Sequence, residues 1–215
     1  MWNYYGRIFS EYPFLNSFRN NSKNINIKII GSEILHELKS KNENAIFVSG
    51  HFDNFELMAM NLEKAGINLA AIYRPLNNFF VDKIMVNLRK KYICKNQIKK
   101  GRASVRELVK LFKNGYSIAL MIDQRVSEGI KSPFFLKDAY TTTIPGQFVK
   151  KFNCRIVPIY IERKFDLNFE IKISEPIKFE KEESIEQITK KLNLKLEKLI
   201  LNNPSQWIWS HNRWK

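Results

Sequence analysis

The segment VSGHFDNFELM, residues 48–58, places one histidine and two carboxylates in a short stretch. His51 follows Gly50 at the end of an apolar run, and Asp53 and Glu56 come soon after. An imidazole titrates near neutral pH, so a histidine facing a cleft is suited to act as a general base. It does so best when a carboxylate holds its other ring nitrogen. His51 is therefore the first candidate for catalysis.

The two carboxylates allow two interpretations. Five residues within one helix rotate a side chain by about 500°, so Glu56 reaches His51 only if His51 lies in the turn before a helix. The pattern Asp53-x-x-Glu56 also has the spacing of a capping box, which is a local helix signal. The two interpretations are compatible. From spacing alone the capping box, with Asp53 as the cap of the helix, is favoured over a Glu56 that orients the imidazole of His51.

Other kinds of catalysis lack their motifs. The chain has no G-x-S-x-G, no P-loop and no G-x-G-x-x-G. Ser49 is next to His51, but adjacent residues at a strand end point to opposite sides. We therefore expect His51 to activate a substrate hydroxyl directly, without an acyl-enzyme. Asp123 follows an apolar run with no second acid nearby, which favours pairing with a basic residue or holding a loop over binding a metal.

The cysteines and the other histidines suggest no metal site and no cofactor. Cys94 and Cys154 lie far apart without C-x-x-C spacing, which favours free thiols in a reducing compartment. His36 falls in a Lys/Glu-rich helical stretch and is expected at the surface. His211 lies in the tryptophan-rich segment WIWSHNRWK and is expected to be structural or interfacial.

Basic residues are in clear excess. The 36 Lys and Arg against 21 Asp and Glu give a net charge of +15. Residues 82–113 alone contain eleven basic and two acidic side chains, an excess of nine. Such a stretch is either a solvated helical face or the contact for an anionic partner, which the excess favours. The chain shows no RNP-like motif, zinc finger or helix-turn-helix, so we expect no nucleic acid partner.

Apolar periodicity predicts alternating strands and helices. The strands are predicted over 25–30, 45–50, 67–73 and 116–123, with a further strand pair in RIVPIYIERK and NFEIKISEPI near one edge. Helical patterns lie between them, and another covers ESIEQITKKLNLKLEKLILNN. This order predicts a single α/β domain with a mostly parallel central sheet flanked by helices. Function in such sheets gathers beyond the carboxyl ends of strands, so the loops 50–56, 73–78 and 123–135 are expected to share a site.

The first residues, 1–24, form a separate aromatic segment before the domain at 25–215. It begins MWNYYGRIFSEYPFLNSF, which has neither a signal-peptide pattern nor a long apolar run. Its aromatic side chains suit the headgroup depth of a membrane, but they would equally suit a helix packed on the domain.

Five blocks in sequence order resemble the bacterial lipid A biosynthesis acyltransferases, the lauroyl/myristoyl transferase family within the lysophospholipid acyltransferase group. SGHFDNFE resembles the family's H-x4-[DE] block, and YRPLNN resembles its Arg-Pro-x-x-Asn block. KNGYSIALMIDQ, PFFLKDAYTTTIPG and PSQWIWSHNRWK resemble three later blocks. Asp53, Phe55 and Leu136 depart from the residues usual in the family.

This resemblance implies acyl transfer from an acyl carrier protein thioester to a hydroxyl of a lipid A precursor. His51 would be the base and Glu56 its orienting acid. Substrate binding or transition-state stabilisation would involve Arg74, Asn78, Arg89 and Asp123. The expected partners are acyl carrier protein, an anionic glycolipid acceptor and the cytoplasmic face of the inner membrane.

Family members usually begin with a hydrophobic membrane helix, and this chain begins close to the point where that helix ends. We therefore expect a peripheral protein, or one whose anchoring helix is missing from the sequence. The alternatives are the same chemistry on another glycolipid or lysophospholipid, and a non-catalytic basic protein that binds lipid or nucleic acid.

Overall fold

The computed structural model describes residues 2–22, 24–101, 103–210 and 212–214. The strands are β1 (Asn26–Ile30), β2 (Ile46–Ser49), β3 (Leu69–Tyr73), β4 (Asn96–Lys99), β5 (Ser117–Met121), β6 (Ile130–Phe134), β7 (Lys137–Thr141), β8 (Ile156–Phe165) and β9 (Asn168–Ile173). The helices are α1 (Trp2–Glu11), α2 (Leu15–Arg19), α3 (Ser32–Ser40), α4 (Glu56–Lys64), α5 (Phe79–Tyr92), α6 (Ser104–Lys113), α7 (Ile144–Phe152) and α8 (Ile185–Asn202). Short 3-10 helices cover Tyr12–Phe14 and Pro204–Gln206.

A seven-stranded sheet forms the centre of the protein. Its strands lie in the order β1, β9, β8, β2, β5, β3, β4, and neighbours pair in parallel except for β8 with β9. All four residues of β2 are buried, which explains why this strand is a continuous apolar run that ends in Ser49. The prediction of a single α/β domain with a mostly parallel sheet is confirmed.

Four elements were not evident from the sequence. Strand β4 carries only one buried residue, so its apolar pattern is too weak to detect. Strands β6 and β7 form an antiparallel hairpin whose turn residues, Phe135 and Leu136, both have positive φ although neither is a residue type that usually marks such a turn. Helix α7 begins at Ile-Pro-Gly, which resembles a loop, but proline is well tolerated in the first helical turn.

The N-terminal segment packs on the domain. Leu15 and Phe18 are each only 1% exposed and belong to the same core as the sheet. Arg19 donates hydrogen bonds to the Glu63 carboxylate on α4 (2.9 Å) and to the carbonyl oxygen of Tyr92 at the end of α5 (2.8 Å). The opposite side of the N-terminal segment exposes aromatic rings. A role of this segment at a membrane interface stays a prediction, and so does a domain boundary at residue 24. In the part of the chain that the structure describes, no helix is long and apolar enough to cross a membrane.

A buried ionic network ties this segment to the sheet. The guanidinium of Arg163, on β8, pairs with the carboxylates of Asp53 (2.7 Å) and Glu11 (2.9 Å). All three side chains are almost inaccessible to solvent. Asn54 adds a hydrogen bond to Glu11 at 2.7 Å. The charges are therefore compensated by one another rather than by water.

This network corrects the prediction that Asp53 caps the following helix. Helix α4 begins at Glu56, and the residue before it, Phe55, makes no side-chain cap. The Asp53 carboxylate is instead used by Arg163, because a buried cation far away in sequence is a stronger partner than a helix amide.

Replacing Arg163 with methionine should lower the free energy of unfolding by about 3–5 kcal/mol, because it leaves two buried carboxylates without their cation. Urea denaturation followed by circular dichroism measures this. Arg155→Met is the matched control, since Arg155 pairs with Glu37 (3.0 Å) and Glu43 (3.3 Å) at the surface. That control should cost no more than about 1 kcal/mol. Equal losses for the two variants would contradict the importance of the buried network.

Candidate active site

A cavity of about 490 Å³ lies beyond the carboxyl ends of β2, β5 and β3. This volume is within the range of roughly 300–1,000 Å³ typical of small-molecule sites. The predicted grouping of three loops is confirmed, because residues of each one line the cavity. The polar side chains among the lining residues include His51, Glu56, Arg74, Arg89 and Gln124.

His51 is held by Asp123, which follows the neighbouring strand β5. The ring nitrogen Nδ1 lies 2.7 Å from Asp123 Oδ1, and the backbone N–H of His51 donates to Oδ2 of the same carboxylate, also at 2.7 Å. A carboxylate accepts hydrogen bonds only, so Nδ1 carries the proton and Nε2 carries the lone pair. Nε2 lies 3.4 Å from the amide nitrogen of Gln124 at the cavity wall. The pair has the arrangement of a general base with its orienting acid.

Asp123 is itself tightly held in its ionised form. Its side chain is 3% exposed, and Oδ2 also accepts a hydrogen bond from the indole nitrogen of Trp207 at 2.8 Å. Burial raises the pKa of Asp123, but the attraction of His51 and the hydrogen bonds from His51 and Trp207 outweigh it, so the pKa lies below its usual value of 3.8. The carboxylate is therefore charged at neutral pH and suited to stabilise an imidazolium.

The partner of Glu56 is different from the one predicted. Its Oε1 accepts hydrogen bonds from Arg89 at 2.8 Å (Nε) and 2.5 Å (Nη2), and from the hydroxyl of Tyr12. Glu56 is the first residue of α4 and faces α5 and the N-terminal segment, while the imidazole of His51 is held from β5. The carboxylate that orients His51 in this structure is Asp123, and the expected contact from Glu56 is corrected accordingly.

Tyr12, Glu56 and Arg89 form a second cluster at the cavity wall. Burial and the neighbouring carboxylate raise the pKa of Tyr12, so its hydroxyl stays protonated and donates to Glu56. Burial lowers the pKa of Arg89, but the attraction of Glu56 outweighs this and the net pKa is raised. The Arg89 side chain is only 13% exposed. The cluster therefore fixes a permanently charged guanidinium beside the cavity.

The remaining residues predicted to bind substrate, Arg74 and Asn78, lie outside these two clusters. Arg74 is exposed at the cavity rim. The side-chain oxygen of Asn78 caps α5 by accepting from the backbone N–H groups of Phe80 and Val81, so this oxygen is already used within the fold. Whether either residue contacts a substrate stays a prediction. His211 lies outside the described residues.

Two contributors were missed by sequence reasoning. From the sequence, Tyr12 is placed only within an aromatic segment and Trp207 only within a tryptophan-rich one. No local spacing reveals their contacts, since Tyr12 is 44 residues from Glu56 and Trp207 is 84 residues from Asp123. Among the residues that the structure describes, no group of three or more His, Cys, Asp or Glu side chains is arranged to hold a metal ion.

A sequence model of one family, described as bacterial lipid A biosynthesis acyltransferase, matches residues 1–215. The chain belongs to this family. The suspected resemblance is thereby confirmed, and the hydrogen-bonded pair of His51 and Asp123 lies in a member of this family.

Curated relatives of this chain carry names that match the family. Lipid A biosynthesis acyltransferase 2 of Shigella flexneri is 24% identical over 184 residues, covering 83% of this chain and 58% of that protein. Lipid A biosynthesis acyltransferase of Haemophilus influenzae is 27% identical, covering 85% and 60%. Lipid A biosynthesis lauroyltransferase of Escherichia coli is 24% identical, covering 87% and 61%. The chain thus spans about three fifths of the length of these relatives.

A solved structure shares the fold of this chain. The crystal structure of the 1-acyl-sn-glycerophosphate acyltransferase of Thermotoga maritima matches 92% of this chain and 81% of that one, with a TM-score of 0.56 and 18% sequence identity. At this identity the likeness shows a common fold.

The stability contributed by Asp123 should depend on pH. Because its folded-state pKa lies below 3.8, the ionised carboxylate stabilises the protein above that pH, and this contribution is lost as pH falls through the lowered pKa. Asp123→Asn should therefore cost about 1.5–3 kcal/mol near pH 7, and less at pH values below about 4. Urea denaturation across this range measures the difference. The exposed Asp138→Asn is the control, and a cost for Asp123→Asn that is constant with pH would contradict the assignment.

Proposed function

We propose that this chain transfers a fatty acyl group from an acyl carrier protein thioester to a hydroxyl of a lipid A precursor. The observation that carries the proposal is the hydrogen-bonded pair of His51 and the buried Asp123 at an apolar cavity, in a member of this family. His51 is the general base, and no acyl-enzyme is formed.

In this mechanism Asp123 holds the proton on Nδ1, and Nε2 of His51 removes the proton from the acceptor hydroxyl. The hydroxyl oxygen attacks the thioester carbonyl, forming a C–O bond. As the tetrahedral intermediate collapses, the C–S bond breaks and the proton passes from Nε2 to the departing thiolate. The ionised Asp123 stabilises the imidazolium between these two steps.

Glu56 has a supporting role in this proposal. It neutralises and orients Arg89, whose guanidinium lines the same cavity as His51. A fixed cation there is suited to stabilise the developing oxyanion or to bind a phosphate of the acceptor. The H-x4-E spacing is then explained by two linked charge pairs rather than by direct contact between its two residues.

The acyl chain has an apolar space to enter. The side chains lining the cavity away from His51 are largely apolar, and they include Phe47, Met58, Leu62, Met85, Ile93 and Leu120. Burial of an acyl chain among them is favoured by the hydrophobic effect at roughly 25 cal/mol per Å² of apolar surface. A thioester would then meet His51 where the apolar wall gives way to polar side chains.

The charge distribution suits the proposed partners. The segment 82–113 has an excess of nine basic residues in the sequence and includes most of α5 and all of β4 and α6. Both acyl carrier protein and a lipid A precursor are anionic. Such a surface accelerates association and makes it sensitive to salt.

A peripheral position on the cytoplasmic face of the inner membrane fits the exposed apolar residues. At the start of α5, Phe79 is 71% and Phe80 is 77% exposed, and Ile84 is 61% exposed. They follow directly after the cavity-lining residues 74–77. Large apolar side chains left in water beside a lipid-binding cavity are typical of a surface that contacts a bilayer.

Activity of three variants tests the mechanism. His51→Ala should lower kcat by about 10²–10⁴-fold, since it removes the general base. Asp123→Asn should lower kcat strongly with little change in KM, whereas Glu56→Gln should act through Arg89 and also alter KM. The assay uses acyl carrier protein loaded with acyl chains of graded length, with a lipid A precursor or a lysophospholipid as acceptor, and mass spectrometry of the product.

The exposed Glu175→Gln, outside the cavity and outside the basic segment 82–113, is the matched control for Glu56→Gln and should leave the kinetics unchanged. Full turnover by His51→Ala would overturn the proposed mechanism. Transfer to the lysophospholipid alone would keep the chemistry and change the acceptor, and no transfer to any acceptor would favour the non-catalytic alternative.

Membrane association is tested by sedimentation with vesicles containing phosphatidylglycerol. The double variant Phe79→Ser, Phe80→Ser should bind at least about tenfold more weakly, because each buried phenylalanine contributes roughly 1.5–3 kcal/mol. Leu194→Ser, Leu201→Ser on α8 is the control, since both leucines are exposed and neither lines the cavity. An equal loss in both double variants would contradict a specific role for the start of α5.

A further inference from the structure

Residues 206–210 and 212–214, near the end of the chain, pack against the loop that carries His51 and its partner Asp123, and we name them the C-terminal strap. The backbone N–H of Ile208 donates to the carbonyl oxygen of His51 at 2.9 Å, and the N–H of Asp53 donates to the carbonyl oxygen of Gln206 at 2.9 Å. Phe52 and Trp207 form an isolated antiparallel bridge between these two bonds. The strap therefore fixes the backbone on which the imidazole stands.

The strap also reaches the orienting carboxylate. Trp207 is 3% exposed, and its indole N–H donates to Asp123 Oδ2 at 2.8 Å. The same oxygen accepts from the backbone N–H of His51, so Oδ2 is engaged on two sides while Oδ1 faces the imidazole. An indole N–H can only donate a hydrogen bond. This contact therefore orients the carboxylate of Asp123 and cannot accept a proton.

Arg213 holds the backbone on both sides of Asp123. Its side chain is fully buried, and its guanidinium donates to the carbonyl oxygens of Gln124 (3.2 Å) and Ile122 (3.5 Å). It also donates to the hydroxyl of Thr141 (2.7 Å) and to the carbonyl oxygen of Tyr140. Among the described residues, no carboxylate forms an ion pair with Arg213. Burial lowers the pKa of Arg213 to about 10, which still leaves it charged at neutral pH.

A buried cation without an ion pair is a costly way to stabilise a fold. The desolvation of Arg213 is offset by carbonyl and hydroxyl dipoles, by the ring of Phe134 and by the longer-range attraction of Asp123. The two carbonyl partners of Arg213 in the β5 loop are the neighbours of Asp123 on either side. Trp207 contacts the same carboxylate from the other end of the strap. The contacts of the strap converge on His51 and Asp123, which are the two groups whose mutual geometry the reaction depends on.

We propose that Trp207 and Arg213 are positioning residues that set the geometry of the pair formed by His51 and Asp123. This inference rests on the proposed function, in which that pair is the general base and its orienting acid. Neither residue contacts the substrate. Their effect passes through the carboxylate of Asp123 and the backbone beside it.

The test compares Trp207→Phe with Trp214→Phe in the acyl-transfer assay. Both variants keep an aromatic ring and remove one indole N–H, but Trp214 donates to the carbonyl oxygen of Phe134 at 3.0 Å rather than to Asp123. Trp207→Phe should lower kcat by about 10- to 100-fold with KM changed less than about twofold, because a hydrogen bond to a charged acceptor is lost from the reacting pair. Trp214→Phe should keep its kcat.

The pH dependence of kcat is a second measurement, and a purely structural role of Trp207 would leave it unchanged. Removing a donor from Asp123 leaves more charge on the carboxylate to stabilise the imidazolium, so the acidic limb of kcat should move to higher pH in Trp207→Phe. In the Asp123→Asn background, Trp207→Phe should add little further loss of kcat, because both act on the same group. Additive losses, or a pH profile unchanged from wild type, would overturn the proposal.

Arg213→Lys keeps the buried charge but has one nitrogen in place of the guanidinium fork, and it serves as the second variant. It should lower kcat and leave KM nearly unchanged. If Trp207→Phe fails to fold, a folded Arg213→Lys with the kcat of Trp214→Phe would overturn the proposal by itself. Full turnover by His51→Ala would instead refute the proposed function, so the two failures are distinguishable.

Discussion

The parallel pairing of β2 with β5 is the constraint on which the candidate site depends. Ser49 lies opposite Met121 in this pairing, and two residues further along each chain come His51 and Asp123. A side chain at Gly50 would place its Cβ 3.2 Å from the Asp123 carboxylate, closer than most such contacts, so glycine allows the two loops to approach. The proposed general base and its orienting acid are thus brought together by sheet register, and the pair exists only once the two strands have paired.

The structure separates two tasks that a single acid could not perform together. Asp123 orients the imidazole from β5, while Glu56 compensates the guanidinium of Arg89 from α4. If Glu56 were drawn to His51 instead, Arg89 would remain a buried charge without its carboxylate, which is strongly unfavourable. The two charge pairs therefore support each other, and both side-chain pairs face one cavity. This accounts for the need for an acid in the first turn of α4 even though it does not touch the histidine.

Sequence reasoning was accurate where the decisive signal is local. The strands predicted over 25–30, 45–50, 67–73 and 116–123 contain β1, β2, β3 and β5, and the three site loops follow from recognising where apolar strands end. It was inaccurate where the interaction partner of a side chain lies far away in the sequence. The spacing of Asp53 and Glu56 fits a capping box, yet Arg163, more than one hundred residues away in the chain, takes Asp53. The turn of the β6–β7 hairpin is formed by Phe135 and Leu136 at positive φ, which the residue types do not indicate. Register and long-range ion pairs are set by the assembled sheet, and a single sequence does not reveal them.

The N-terminal segment combines the two alternatives that the sequence left open. Tyr12 points inward, where its hydroxyl donates to Glu56, and Glu11 joins the buried network of Arg163. Trp2 is 71% exposed on the same segment. Packing against the domain and presenting aromatic rings to the surroundings are thus properties of opposite faces of one segment. Because Tyr12 belongs to the cluster that holds Arg89, anything that displaces this segment from the domain also changes the electrostatics of the cavity. The surface that we propose for the membrane and the site that we propose for the chemistry are therefore physically connected through a few side chains.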